Sequence, residues 1–190
     1  KRAIDCMKVI YVDKKWDWMP DVKFIVMLRN PVDRAIEQYN KYSENFPSSA
    51  SWNWTRPGES FGDNIKADFE QTGSILPNWG VCGEDYRGRF LLDGYYANVI
   101  KYFTDTLKLS DDTLLVVSYE KITKFDETEW SRVFNFLDID KFDINPTNPP
   151  PNSSKIKLDP NIHDIFHNFY EDLNTELFDF LGYEIPELKI

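Results

Sequence analysis

The stretch Phe24-Ile-Val-Met-Leu28, followed at once by Arg29-Asn30-Pro31, constrains the fold more than any other part of the chain. A short run that is apolar at every position, with Ile and Val in it, reads as a strand buried on both faces in a parallel sheet. Pro31 suits the first turn of a helix, where its missing N–H costs nothing. Asp33 puts a negative charge in that turn, where the macrodipole favours it. Ala35, Tyr39 and Tyr42 carry the helical spacing to about Tyr42. The unit is therefore strand, tight turn, helix, with an arginine at the turn. In open α/β sheets ligands bind outside the carboxyl ends of the strands, so Arg29 is the best candidate for a fixed guanidinium fork holding an anion. Arg34 reads differently, as a surface ion pair with Asp33, Glu37 or a neighbour.

The remaining segments fit the same class. Met7 to Val12 alternates weakly and reads as a short strand or extended lead-in. Residues 46–59, with Pro47, Trp52, Trp54 and Pro57-Gly58, are a loop by their punctuation. Its tryptophans read as a small pinning core, with a sugar-stacking platform as the sharper alternative. Ser60 is a plausible N-cap for a helix through Phe69. Residues 73–88 are again a loop. Arg89 to Leu107 carries a helical apolar stripe and is expected to be one long helix. Leu114 to Val117 is a second strand of buried type, and Thr128 to Leu137 a further amphipathic helix. The proline-rich run from Asn145 to Pro151 forbids regular structure. Asp159-Pro160 opens a last helix that Gly182 ends.

At 190 residues with 42% hydrophobic and 16% aromatic content, the chain is long enough for one domain with a real core. The net charge of −10 argues against nucleic acid and anionic membrane surfaces as partners. No run of about 18 apolar residues exists to span a bilayer. Cys6 and Cys82 either pair or stand free. Asn53-Trp-Thr and Asn152-Ser-Ser are N-glycosylation sequons, which point to a glycoprotein of the secretory lumen, although short motifs of this kind also arise by chance.

Phe24-Ile-Val-Met-Leu-Arg-Asn-Pro-Val-Asp-Arg-Ala35 resembles the 3'-phosphate-binding segment of sulfotransferases that use the donor PAPS, with the carbohydrate (heparan-sulfate-type) subgroup the nearest. Leu92-Asp-Gly-Tyr-Tyr-Ala-Asn-Val-Ile100 resembles the family's Gly-x-Tyr helix, and Leu114 to Ile122 the strand that follows it. Phe134-Asn-Phe-Leu137 and the run from Phe169 to Asn174, then Leu181-Gly182, resemble its later elements. The resemblance implies an α/β domain of the P-loop type, a three-layer sandwich with a small parallel sheet flanked by helices. Residues 1–190 would be its C-terminal portion, shortened on the N-terminal side. It implies transfer of a sulfuryl group from PAPS to a hydroxyl, of a carbohydrate or another acceptor; the sequons are what favour the Golgi lumen as the place. It places Arg29 on the donor's 3'-phosphate and Tyr96 near the donor or acceptor cleft.

Two departures stand against that pattern. No Gly-rich turn with Lys and Ser/Thr precedes Lys23, so neither the 5'-phosphate cradle nor the subgroup's glutamate base has a counterpart, and no catalytic residue is assigned. At the position where the family's serine shares the 3'-phosphate, this chain has Glu37. An ionised carboxylate about 4 Å from a phosphate repels it by roughly 4 kcal/mol at an effective dielectric near 20, about a thousandfold in affinity. The bland alternative is that Glu37 pairs with Arg29 or Lys41 and fills the site. These departures give the second functional reading, an inactive sulfotransferase-like domain serving as a structural or binding subunit with a protein partner.

No metal is expected. His163 and His167, with Glu171, have a spacing that could hold one, but they read as the polar edge of an amphipathic helix. Asp111-Asp112 and Asp138-x-Asp140 read as solvated loop carboxylates, with a loose calcium site as the alternative.

Overall fold

The computed structural model describes residues 6–13, 22–45, 59–72, 90–144 and 156–190. Two parallel strands, β1 (Phe24–Leu28) and β2 (Leu114–Ser118), pair in a register from Phe24 opposite Leu114 to Leu28 opposite Ser118. A parallel pair needs a long crossover. Among the described residues it contains three α-helices: α1 (Pro31–Asn45), α2 (Phe61–Thr72) and α3 (Tyr96–Leu107). After β2 come the short α4 (Tyr119–Thr123), then α5 (Glu127–Leu137) and the long α6 (Pro160–Leu181). The fold is α/β, with a small parallel sheet flanked by helices.

The caps follow local chemistry. The Ser60 hydroxyl accepts from Asp63 N at 3.2 Å, and the Asp63 carboxylate accepts from Ser60 N and Oγ, a reciprocal box opening α2. Those bonds hold the Asp63 carboxyl below its ordinary range. Asp126 caps α5 and Asp159 caps α6, each accepting from a backbone N–H of the first turn. Gly182 ends α6 at φ +73°, the left-handed conformation a glycine adopts without strain.

Two apolar clusters share α6. One joins α1 and α2 to its first half through Ile36, Ile65, Phe166 and Tyr170; the other joins Leu28 and Val116 of the sheet to Ile100, Leu177 and Leu188. Val117, on the opposite face from Val116, is also buried, and α5 packs against β2.

Three expectations need correction. β1 is not buried on both faces: α5 packs against β2, where Val117 is buried, while Ile25 and Met27 on β1 are 40% and 49% exposed. Met7 to Val12 is helical, with a π-helical turn at Val9–Asp13 that closes its own hydrogen bonds; Tyr11 packs edge-on against Phe24. Arg89 to Leu107 is not one helix. A 3₁₀ turn at Leu92–Gly94 precedes α3, and Tyr95 (φ −78°, ψ 75°) separates them. The backbone of Phe90 and Leu91 bonds to side chains as well, and Leu91 O also accepts from Gly94 N at 3.0 Å in the 3₁₀ turn. Arg34 donates to Phe90 O, Tyr170 Oη donates to Leu91 O at 2.5 Å, and Leu91 N donates to Asp68 at 2.8 Å. Residues 1–5, 14–21, 46–58, 73–89 and 145–155 lie outside the described residues, and with them both sequons, Trp52, Trp54, Cys82 and the proline-rich run; Cys6 is a free, exposed thiol.

Asp68 is 2% exposed and its second carboxylate oxygen has no partner. Burial pushes its carboxyl up to about 6, against the Leu91 N–H and the Arg34 charge, which act the other way. Between about pH 4 and 6 the folded state then binds a proton that the unfolded state does not, so this group's contribution to stability rises as pH falls through that window. Asp68→Asn keeps an acceptor for Leu91 N and removes the titration. Wild type is expected to gain on the order of 1–3 kcal/mol on the variant between pH 7 and pH 4. Denaturant curves of the two proteins that run parallel across that range would refute it.

Candidate functional site

Arg29 and Asn30 leave the carboxyl end of β1, and every polar atom of the Asn30 side chain and N–H is engaged. Its Oδ1 accepts from Val32 N at 3.0 Å and Asp33 N at 3.3 Å, which caps α1. Its Nδ2 donates to Glu187 O at 2.8 Å, and its backbone N donates to Glu120 Oε1 at 2.7 Å. The turn is thus tied both to the end of β2 and to the C-terminal 3₁₀ turn Pro186–Leu188. Lys121 pairs with the Glu187 carboxylate at 3.6 Å, and Asn174 donates to Leu188 O at 2.9 Å. Asn30→Ala removes the cap and the Glu187 tie together. It is expected to destabilise by about 1–3 kcal/mol; thermal unfolding unchanged from wild type would mean the turn is held by β1 alone.

The Arg29 side chain is fixed from two sides. Its guanidinium lies over the Tyr119 ring, 4.7 Å from the centroid, and forms an ion pair with Glu37 one helical face along α1. The arginine side chain is 18% exposed and the glutamate 49%. Tyr96 Oη donates to Arg29 O at 2.8 Å, so that phenol holds the backbone of the site residue; its burial raises the phenol's pKa. The structure thus brings Arg29, Glu37 and Tyr96 together. Of the two dispositions open to Glu37, it shows the pair with Arg29.

Arg34 corrects the sequence reading. It is no surface ion pair: it turns inward, donating to Gln38 Oε1 at 2.6 Å and to Phe90 O. Buried polar groups need partners, and the carbonyl that the missing helical ladder leaves open at Phe90 supplies one. Tyr95 donates to Glu176, which also takes Lys101 at 2.7 Å and is held below its ordinary pKa chiefly by that bond. Burial and the same glutamate push the Tyr95 phenol up to about 12. This network fastens α3 to α6. His163 and His167 are half-exposed on α6, with His167 3.9 Å from Glu171; among the described residues no cluster has the makings of a metal site.

Sequence reasoning missed Asn30, Tyr119, Glu120 and Glu187. An asparagine just before Pro31 is a cap signal and could have found the first. The others meet the turn only across the sheet end, and Glu187 lies 157 residues away.

The fold is an α/β domain with a parallel strand pair and, at the carboxyl end of β1, an arginine held over an aromatic ring and paired with a glutamate. The chain belongs to the sulfotransferase domain family, whose model matches residues 10–148. No curated protein sequence matches it. Among solved structures, a sulfotransferase from Alicyclobacillus acidocaldarius is similar in fold, with a TM-score of 0.55 and 21% sequence identity. That match covers 93% of this chain and 61% of the other, so the chain spans less than two thirds of that protein's length.

Proposed function

We propose that the protein bearing this chain transfers a sulfuryl group from PAPS to a hydroxyl, with a carbohydrate as the acceptor. The observation that carries the reading is Arg29. It stands where an α/β sheet places its ligands, with its guanidinium over the Tyr119 ring and its backbone held by Tyr96. In that reading Arg29 takes the donor's 3'-phosphate, as the family resemblance implies. The chemistry the donor supplies is an activated sulfuryl group: a new S–O bond to the acceptor forms as the S–O bond to the phosphate breaks, and a base takes the hydroxyl proton. No residue of this chain is assigned as that base.

The fit to a phosphate is partial. Arg29 presents the fork, but Glu37 already occupies it, and an incoming phosphate must displace a carboxylate that can only accept hydrogen bonds. That ion pair favours a second reading, an inactive domain of the same family kept as a structural or binding subunit. Incubation of the purified protein with radiolabelled PAPS and desulfated polysaccharide acceptors tests the two. Label is expected in the polysaccharide, lost in Arg29→Ala. A folded protein that labels neither polysaccharide nor simple phenol and alcohol acceptors would replace the first reading with the second. The sequons at Asn53 and Asn152 support placement in the Golgi lumen, where endoglycosidase treatment should lower the apparent mass; an unchanged mass would remove that support.

A further inference from the structure

The outer side of α5 carries a groove of about 660 Å³, within the size range of ligand pockets. Its floor is one helical face, Glu127, Trp130, Ser131 and Phe134, spaced as i, i+3, i+4 and i+7. Phe125 closes one end, and residues 141–144 form the far wall. Phe142 is 62% exposed, although its ring centroid is 4.9 Å from that of Phe134, itself 5.9 Å from Trp130. The rings make a row with an open face. Phe125 stands at φ +58°, a left-handed conformation uncommon for a bulky side chain.

The groove's charge is one-sided. Glu127 and Asp143 line it and are exposed; Asp138 and Asp140 are exposed just before the far wall. Lys141 is the one cation among the described lining residues. Ser131 Oγ already donates to Glu127 O at 2.6 Å and the described lining residues include no side-chain amide, so they offer little to a neutral, hydroxyl-rich ligand.

The rest of the molecule shows what such a set holds. Arg29 lies over Tyr119 and pairs with Glu37; Arg132 lies 4.9 Å over Tyr183 and pairs with Glu129 at 2.9 Å. Each is a guanidinium between an aromatic face and a carboxylate. The described residues of the groove supply the rings and the carboxylates without an arginine. We infer that it receives an extended, arginine-bearing peptide segment of a partner protein, with guanidinium groups over Phe142 and Trp130 and against Glu127 and Asp143. This site stands apart from Arg29 and does not depend on the sulfotransferase reading.

The test is calorimetric titration, with backbone amide shifts, of a synthetic heptapeptide bearing two arginines flanked by proline and leucine. The comparison ligands are the same peptide with glutamine for arginine and a neutral hexasaccharide. Saturable binding is expected for the arginine peptide, weaker at higher salt, with shifts confined to residues 125–144. Phe142→Ala and Asp143→Lys should each weaken it at least tenfold, and Lys141→Glu should strengthen it severalfold. Phe142 and Asp143 are exposed, and thermal unfolding of each variant confirms that it folds. The inference is overturned by any of three results: no saturation at millimolar peptide, equal binding of the glutamine peptide, or indifference to both weakening variants. Binding of the hexasaccharide alone would make the groove a sugar site and would overturn it too.

Discussion

Glu37→Ser is expected to raise the affinity of this protein for adenosine 3',5'-bisphosphate by between about fivefold and a thousandfold. The carboxylate both occupies the Arg29 guanidinium and repels an incoming phosphate. Two unit charges about 4 Å apart interact by roughly 1 kcal/mol in water and roughly 4 kcal/mol at an effective dielectric of 20. Glu37 is half-exposed, so the effect falls between those limits. Serine removes the charge and adds a donor. The gain should be largest at low salt. Calorimetric titration of both proteins decides it. Tight wild-type binding that the substitution leaves unchanged would show that Glu37 swings clear of the ligand without cost, and the case for a disabled donor site would go with it.

Gly94→Ala is expected to be among the most damaging single-methyl additions in the chain. A Cβ at this position would fall 2.8 Å from Tyr170 Cζ and 3.0 Å from Pro31 Cβ, closer than carbon atoms pack. Neither neighbour can give way cheaply. Tyr170 is fully buried, with its hydroxyl bonded to Leu91 O, and Pro31 begins α1 directly after the Arg29–Asn30 turn. Overpacking of this kind costs about 1–3 kcal/mol, and more where a buried hydrogen bond breaks with it. For a domain of this size that lowers Tm by roughly 2–12 °C. The displacement would also reach the Arg29–Asn30 turn through Pro31. Thermal unfolding within a degree or two of wild type would mean the α1–α6 contact is looser than its geometry.

The strand–turn–helix around Arg29 was legible because its signals are local. A five-residue apolar run, a proline fitted to a first helical turn and an acidic residue beside it specify the same unit. The caps at Ser60, Asp159 and Gly182 were legible for the same reason: a cap is a bond between residues two to four apart. The break before α3 was not. The apolar stripe runs unbroken through Leu91, Leu92 and Tyr95, but periodicity cannot register that Phe90 and Leu91 find better partners in Arg34, Asp68 and Tyr170, drawn from three other helices. Nor could the exposure of Ile25 and Met27 be read, since β1 has the composition of a strand covered on both faces.

The sequence by itself determined the kind of site, an arginine at the end of a parallel strand with a glutamate two turns along the next helix. The tertiary structure decided what that glutamate does. Whether Glu37 faces a ligand or the arginine depends on where the guanidinium is held, and that is set by the Tyr119 ring, the Tyr96 hydroxyl and the Glu187 carbonyl. Those groups meet the turn only when β2, α3 and the C-terminal turn close on the end of the sheet. Side-chain direction at a site is fixed by packing across long sequence separations, and no local pattern carries it.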